Sequence, residues 1–371
     1  MTEASRSGWD ALAGPDDLIH SSNWLRFEAA QSNLPPRYHL AWVGGSDDRR
    51  ADAALSCYPL DVESEPWPFT RIDSALRHVA ERSQIDLDER AEGALAGLLP
   101  AYVCGARRAP DTRLLIGERR HPGEGEQLAH CLLDHVERDA CANGIQSVTF
   151  LFVRESDDVL CHALEARGYL RYPSARSASL AITRPGFDGY LAGLDHKRRN
   201  QVKREQRRLR EAGVRFDIES LEGELIAELV PLQMQQFRKY GHDPSAKALA
   251  ASLALQAEHC GPAMRAATAR SPDGVLRGFA TMVHWGSHLY MRQVGFDYEW
   301  QGSLPLYFGA TYYTPIEYAV GAGVRLLHYS IESEAAKVLR GCALEQRYGY
   351  VKVLAPGLRD RIEPLVRAIR P

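Results

Sequence analysis

Apolar and polar positions along this chain follow two rhythms, the two-residue period of a strand and the longer period of a helix, and together they mark out a run of α/β units. Residues 38–43 and 53–60 alternate as strands around Gly44-Gly45-Ser46-Asp47-Asp48, which predicts a hairpin over 38–60. Residues 24–28 read as a short helix. Between 61 and 97 the pattern weakens, with helical spacing near 87–98. From 112 it sharpens into a strand at 112–117 and a helix at 124–142, with Leu128, Cys131, Leu132, His135 and Val136 at helical spacing. A buried strand at 144–152, a helix at 157–167 closed by Gly168-Tyr169, and a strand at 177–183 follow. Pro185-Gly186 is a natural break.

After the break, 195–212 predicts a helix. Leu194, Val202, Leu209 and Ala212 form one stripe, Asp195 is placed to cap the start, and Gly213 to end it. A strand at 214–218 leads to helices at 222–240 and 245–259, then to a meander of strands at 264–269, 275–285 and 288–296. A loop at 297–303, a helix at 305–322, a strand at 323–331, a short helix at 335–339, a strand at 347–354 and a terminal helix complete the chain. Residues 143–169 and 322–350 share one grammar: helix end, Gly, buried strand, Glu-Ser, helix, aromatic turn, strand. That points to a duplicated unit. The expectation is an α/β protein, layered as in α+β folds, with two domains at 1–185 and 186–371, the second opened by the helix at 195–212.

Charge alters this picture at one place. Eight of the fifteen residues from His196 to Arg210 are Lys or Arg, and Glu205 is the only acid among them. Like charges three or four apart repel by roughly 0.2–0.5 kcal/mol per pair, so a helix that gathers them is either simply solvated or uses the field. Lys197, Arg199, Lys203, Arg204, Arg207 and Arg208 are therefore candidates for binding phosphate, from tRNA, a nucleotide-sugar or coenzyme A. The net charge of the chain is −3, so the basic helix is a local feature and a general nucleic-acid coat is excluded.

Seven cysteines are scattered with no C-x-x-C pair, which predicts free, mostly buried thiols in a reducing cytoplasm. The N-terminus lacks a basic-then-apolar signal, and no stretch approaches the ~18 apolar residues of a membrane span. No metal is expected: there is no H-E-x-x-H, and His284 and His288 flank a hairpin turn without a cysteine or acid at ligand spacing.

The order of elements after residue 195 resembles the GNAT acyltransferase fold. Two such units with a basic helix opening the second resemble the FemABX-like acyltransferases. The run 196–215 resembles the basic helix, Ala-Gly-Val and strand of that family's second domain, and Glu334 to Gly341 resembles its C-terminal Lys/Arg-Gly segment. The resemblance covers 190–355 well and 20–185 through the repeat. It implies transfer of an acyl or aminoacyl group without a covalent intermediate. One segment departs from the coenzyme A-using pattern: Asp297-Tyr298-Glu299-Trp300-Gln301-Gly302-Ser303-Leu304-Pro305 has one Gly, two acids and no basic residue. A pyrophosphate cradle of backbone N–H groups is poorly served there, which favours aminoacyl-tRNA as donor. The coiled-coil arm often found in the family's peptidoglycan enzymes is missing, so tRNA would have to use the body surface.

Acyl transfer to an amine needs a neutral acceptor, a polarised carbonyl and a leaving group that is managed. Backbone N–H groups near Gln293-Val294-Gly295 are candidates to hold the acyl oxygen. Glu332 is a candidate base or amine-orienting carboxylate, or a helix-capping acid beside Ser333. Lys337 and Arg340 are candidates to stabilise an oxyanion or a terminal phosphate, or are two solvated cations. Tyr307, with Tyr312 and Tyr313, is a candidate to hydrogen-bond substrate, or part of a core. His328 reads as a satisfied histidine in a buried strand. The expected function is a cytoplasmic acyltransferase moving an aminoacyl group, from aminoacyl-tRNA, to an amine or hydroxylamine of a small molecule or cell-wall precursor, with no separate cofactor. The alternatives are an acyl-CoA-dependent N-acyltransferase and a GNAT-like module that binds an anionic partner without catalysis.

Overall fold

The computed structural model describes residues 3–42, 51–105, 107–118, 121 and 123–370. The strands in the first half are β1 (Arg37–Ala41), β2 (Ala53–Leu60), β3 (Ala101–Cys104), β4 (Leu115–Ile116), β5 (Ser147–Arg154) and β6 (Leu170–Ala181). Those in the second are β7 (Arg215–Ser220), β8 (Met264–Arg270), β9 (Leu276–Trp285), β10 (His288–Phe296), β11 (Leu326–Ser330) and β12 (Ala343–Val353). Helices separate most of them, so the class is mixed α/β, as the pattern predicted.

Contacts divide the chain into two units. The first holds residues 1–15, 19–177 and 345–371, and the second holds 16–18 and 178–344. This differs from a linear division at 185/186, because the C-terminal segment folds with the first unit. In that unit β2 pairs antiparallel with β1, β3 and β4, β3 runs parallel to β5, and β5 pairs antiparallel with β12. The helix Glu124–Ala142 packs Leu128, Leu132, Leu133 and Val136 into the same core as Val148, Phe150 and Tyr350. The strand expected at 112–117 is reduced to Leu115–Ile116. The turn expected at Gly44–Asp48 lies outside the described residues, although its two strands pair as a hairpin would. A helix at Ile72–Arg82, absent from the sequence reading, buries Ile72, Ala75, Leu76, Val79 and Ala80.

In the second unit β7, β8, β9 and β10 form an antiparallel meander. β10 then runs parallel to β11, and β11 pairs antiparallel with residues 178–181 of β6. The two repeat segments therefore exchange their last strands. β6 follows the first strand–helix pair and supplies an edge to β11. β12 follows the second and pairs with β5. The predicted helix at 305–322 is interrupted: one turn at Leu306–Phe308 passes into a π-helical turn, Gly309–Tyr313, before the α-helix Thr314–Gly321. π-Helical turns often occur at functional sites.

Candidate functional site

The basic helix runs from His196 to Glu211, with the Asp195 side chain accepting from the Arg198 N–H as its cap. Val202, Glu205 and Leu209 are its buried residues. Positions three and four apart share a face, so Glu205 is carried inward by the spacing that buries the two aliphatics. There it meets Arg340. The Arg340 guanidinium donates from Nη2 to both Glu205 carboxylate oxygens at 2.9 and 2.7 Å. The side chain of Arg340 is only 1% exposed and lies 3.5 Å over the Phe308 ring. The Tyr313 hydroxyl, on the π-helical turn, donates to Glu205, and Arg340 Nε donates to that hydroxyl at 3.2 Å. Burial and the carboxylate raise the Tyr313 phenol well above its ordinary value. A buried charge pair is retained only when its remaining donors and acceptors are met; here the tyrosine is joined by Gln201 Nε2, which donates to Glu205 Oε1 at 2.9 Å.

Lys337 stands one turn before Arg340 on the helix Glu334–Leu339. It is buried, and its ammonium donates to the Ile331 carbonyl at 2.6 Å. Burial pulls its pKa down to about 8, against a smaller upward pull from Cys342, Glu332 and Glu334. The carbonyl it holds lies in a turn where Ser330, Glu332 and Ser333 all have left-handed backbone, with φ of 61, 65 and 50°. Such conformations in non-glycine residues cost of order 1–3 kcal/mol each and gather at functional sites. Glu332 is exposed on that turn. Lys337 and Arg340 are thus buried cations, which corrects the solvated reading.

The remaining sequence candidates are dispersed. Tyr307 is half-buried, and burial raises its phenol pKa. The Gln293 N–H donates to Thr281 Oγ1 at 2.9 Å, which in turn donates to Gln293 Oε1 at 2.9 Å, across a register shift between β9 and β10. This N–H is therefore engaged within the sheet. Gly295 is a packing position: a Cβ there would lie 2.6 Å from the Gln233 backbone nitrogen on the helix Gly223–Lys239. Of the basic face, Arg199 donates to the Leu191 and Leu194 carbonyls, Arg208 to Ser303, and Arg207 pairs with Glu211. Lys197, Lys203 and Arg204 are exposed. His328 hydrogen-bonds His288 at 3.1 Å and stacks on Tyr290.

A cleft of about 190 Å³ opens beside Leu180, Ile182, Thr183, Arg184, Tyr190 and Leu194. None of the cations of the basic helix lines it. The Tyr190 hydroxyl donates to the Arg340 carbonyl at 3.1 Å, so one wall of the cleft is tied to the Lys337 helix. Among the described residues no cluster of His, Cys, Asp or Glu could hold a metal, and no helix is long and apolar enough to cross a membrane.

A meander followed by a helix and a parallel strand is the order of elements of a GNAT-like fold. The profile of the FemAB-like family, described as peptidoglycan biosynthesis and recognition, matches residues 108–371, and the chain belongs to that family. No curated protein sequence matches it. Among solved structures, FemX is similar over 98% of each chain, at 12% identity and a TM-score of 0.65. L-PGS from Bacillus licheniformis is similar over 98% of this chain and 96% of its own, at 9% identity and a TM-score of 0.55. A conserved protein of unknown function from Bacteroides thetaiotaomicron is similar over 95% and 98%, at 12% identity and a TM-score of 0.56. At such identities the likeness is one of fold.

Two elements of this site lay outside the sequence reading. Glu205 was legible in principle, since 202, 205 and 209 lie on one helical stripe. The pairing of Arg340 with it joins residues far apart in the chain, and no local pattern announces that.

Proposed function

We propose that this acyltransferase moves an aminoacyl group from aminoacyl-tRNA to an amine or hydroxylamine of a small molecule or cell-wall precursor, from the cytoplasmic side and without a separate cofactor. The reading is carried by Lys337, a buried ammonium at the end of β11, behind a strained turn and one helical turn from a fixed guanidinium. The acceptor nitrogen attacks the ester carbonyl carbon. The C–O bond to the terminal ribose breaks, and the departing ribose oxygen takes up the proton that the amine loses. Lys337, protonated below pH 8, is suited to donate to the oxygen that gains negative charge. Glu332, exposed on the preceding turn, is the carboxylate we assign to orienting the amine. The loop from Asp297 to Pro305, poor in glycine, supports an aminoacyl ester over acyl-CoA as donor.

The experiment is a pH–rate profile of aminoacyl transfer for the wild type and for Lys337→Arg and Lys337→Met. With a hydroxylamine as acceptor, already neutral around pH 8, a role as a cation predicts a plateau below pH 8 and a fall above it, as the ammonium loses its proton. In Lys337→Arg the fall disappears, because guanidinium stays charged. Lys337→Met loses about 10²–10³ in kcat, the usual cost of removing one oxyanion donor. A rate that rises through pH 8, or an unaffected Met variant, removes lysine from this role.

A further inference from the structure

We propose that Lys239, Tyr240 and Tyr298, with Trp300 beside them, form a stacking surface for a single-stranded 3′ segment of RNA. The proposal rests on the donor reading above and adds to it a place where the nucleotides sit.

Tyr240, at the end of the helix Gly223–Lys239, is 61% exposed, an unusual state for so large a ring. The Lys239 ammonium lies 4.1 Å from the Tyr298 ring centroid and 5.9 Å from that of Tyr240, so one cation serves two rings. Tyr298 is held in place. Its hydroxyl donates to Gln236, and its N–H donates to Gln235 Oε1 at 3.4 Å. Two residues on, the Arg277 guanidinium lies 5.1 Å over the Trp300 ring and is itself fixed by Asp297 at 2.7 Å. Tyr298 and Trp300 on the short helix Tyr298–Gln301 are both half-buried, each with a cation beside it, and Glu299 is the exposed acid of that helix.

The basic helix reaches the same loop. Arg208 donates to the Ser303 carbonyl at 2.6 Å and to its hydroxyl at 2.9 Å. Arg204, exposed and one turn earlier on that face, is left for a phosphate. Inward from Tyr298 the rings continue. Tyr298 and Phe296 are 6.3 Å apart, Phe296 and Tyr307 5.7 Å, and Tyr307 and Phe308 5.2 Å. Arg340 covers Phe308, and Lys337 is one turn away on the same helix. These inner rings belong to the packed core, where Phe296 is 1% exposed, and they seat the outer rings against the element that carries Lys337.

Rings interleaved with cations are what unpaired nucleotides require: every base has a π-face to stack and every linkage a charge to neutralise. Coenzyme A offers one base and a diphosphate. The diphosphate would need a cradle of backbone N–H groups, and here the Trp300 N–H donates to Asp297 Oδ1 and the Gln301 N–H to the Asp297 carbonyl, both at 3.0 Å.

The test uses the full chain and a fluorescent RNA minihelix with a single-stranded 3′ overhang. A blunt minihelix and coenzyme A serve as competitors. The overhang minihelix is expected to bind, and the blunt one to compete at least about tenfold less well. Tyr240→Ala is expected to weaken overhang binding about tenfold, with Tyr240→Phe retaining it. Because Tyr240 is exposed, thermal melting should show the variants folded. Equal competition by the blunt minihelix, wild-type affinity in Tyr240→Ala, or displacement by coenzyme A as effective as by the overhang would overturn the surface. Aminoacyl transfer is scored separately. Transfer that persists alongside unchanged affinity in Tyr240→Ala sinks the surface alone, whereas failure of the wild type to use any aminoacyl-tRNA sinks the donor reading.

Discussion

Glu205 and Arg340 show how one buried contact can matter more than a row of surface charges. Exposed ion pairs such as Arg207–Glu211 contribute little, about 0–1 kcal/mol. Removing Arg340 leaves a carboxylate stranded beneath the basic helix. Arg340→Met is therefore expected to destabilise the protein by about 3–5 kcal/mol, and adding Glu205→Leu to recover most of that loss. Urea unfolding of the single and double variants checks this, and equal losses in both would contradict it. Lys337 has a stability signature of its own. Its pKa is about 8 when folded, below the ordinary 10.5, so the unfolded chain binds more protons between those values. Stability should rise with pH through that window, and the burial cost is fully present below it. In the sequence Lys337 and Arg340 were visible as a pair on one helical face. Their burial was hidden, because it depends on β11, the π-helical turn and the basic helix arriving together.

At the scale of elements, the sequence was most legible where periodicity was strong. The helices Glu124–Ala142 and Gly223–Lys239 and the strands β8 to β10 fall where apolar spacing puts them, within a residue or two. The helix Ile72–Arg82 escaped because Arg71, Asp73 and Ser74 interrupt its apolar residues. They are buried too: Arg71 and Asp73 satisfy each other at 2.8 Å, so polar letters here hide a core position. The basic helix was correctly placed, but its cations do not act as one face. Arg199 and Arg208 are spent on backbone carbonyls, whereas Arg204 is exposed and Arg207 holds only a solvent-exposed pair with Glu211 at 3.7 Å. Charge reversal of Arg204 and Arg207 should weaken donor capture, with a flatter dependence on salt than the wild type, and leave the unfolding midpoint unchanged. Capture measured across a salt series tests this. Identical slopes would make the helix a solvated surface and no more.

At the scale of the molecule, the repeat seen in the sequence has a consequence that spacing alone does not reveal. Each strand–helix–strand segment sends its last strand to the other half, β6 to β11 and β12 to β5, so the contact units are not consecutive stretches of chain. A break at Pro185-Gly186 marks a change of element rather than the edge of a unit. Repeat grammar gives the order of elements, while strand pairing is set by contacts between distant residues such as Thr149 and Tyr350. Membership of the FemAB-like family places the chain among acyltransferases, and the donor is what separates the readings that remain. The most direct measurement offers the whole protein labelled aminoacyl-tRNA and labelled acetyl-CoA in parallel, each with a small amine acceptor. Label passing to the amine from the aminoacyl ester alone is the predicted result. Label passing from acetyl-CoA alone would contradict it.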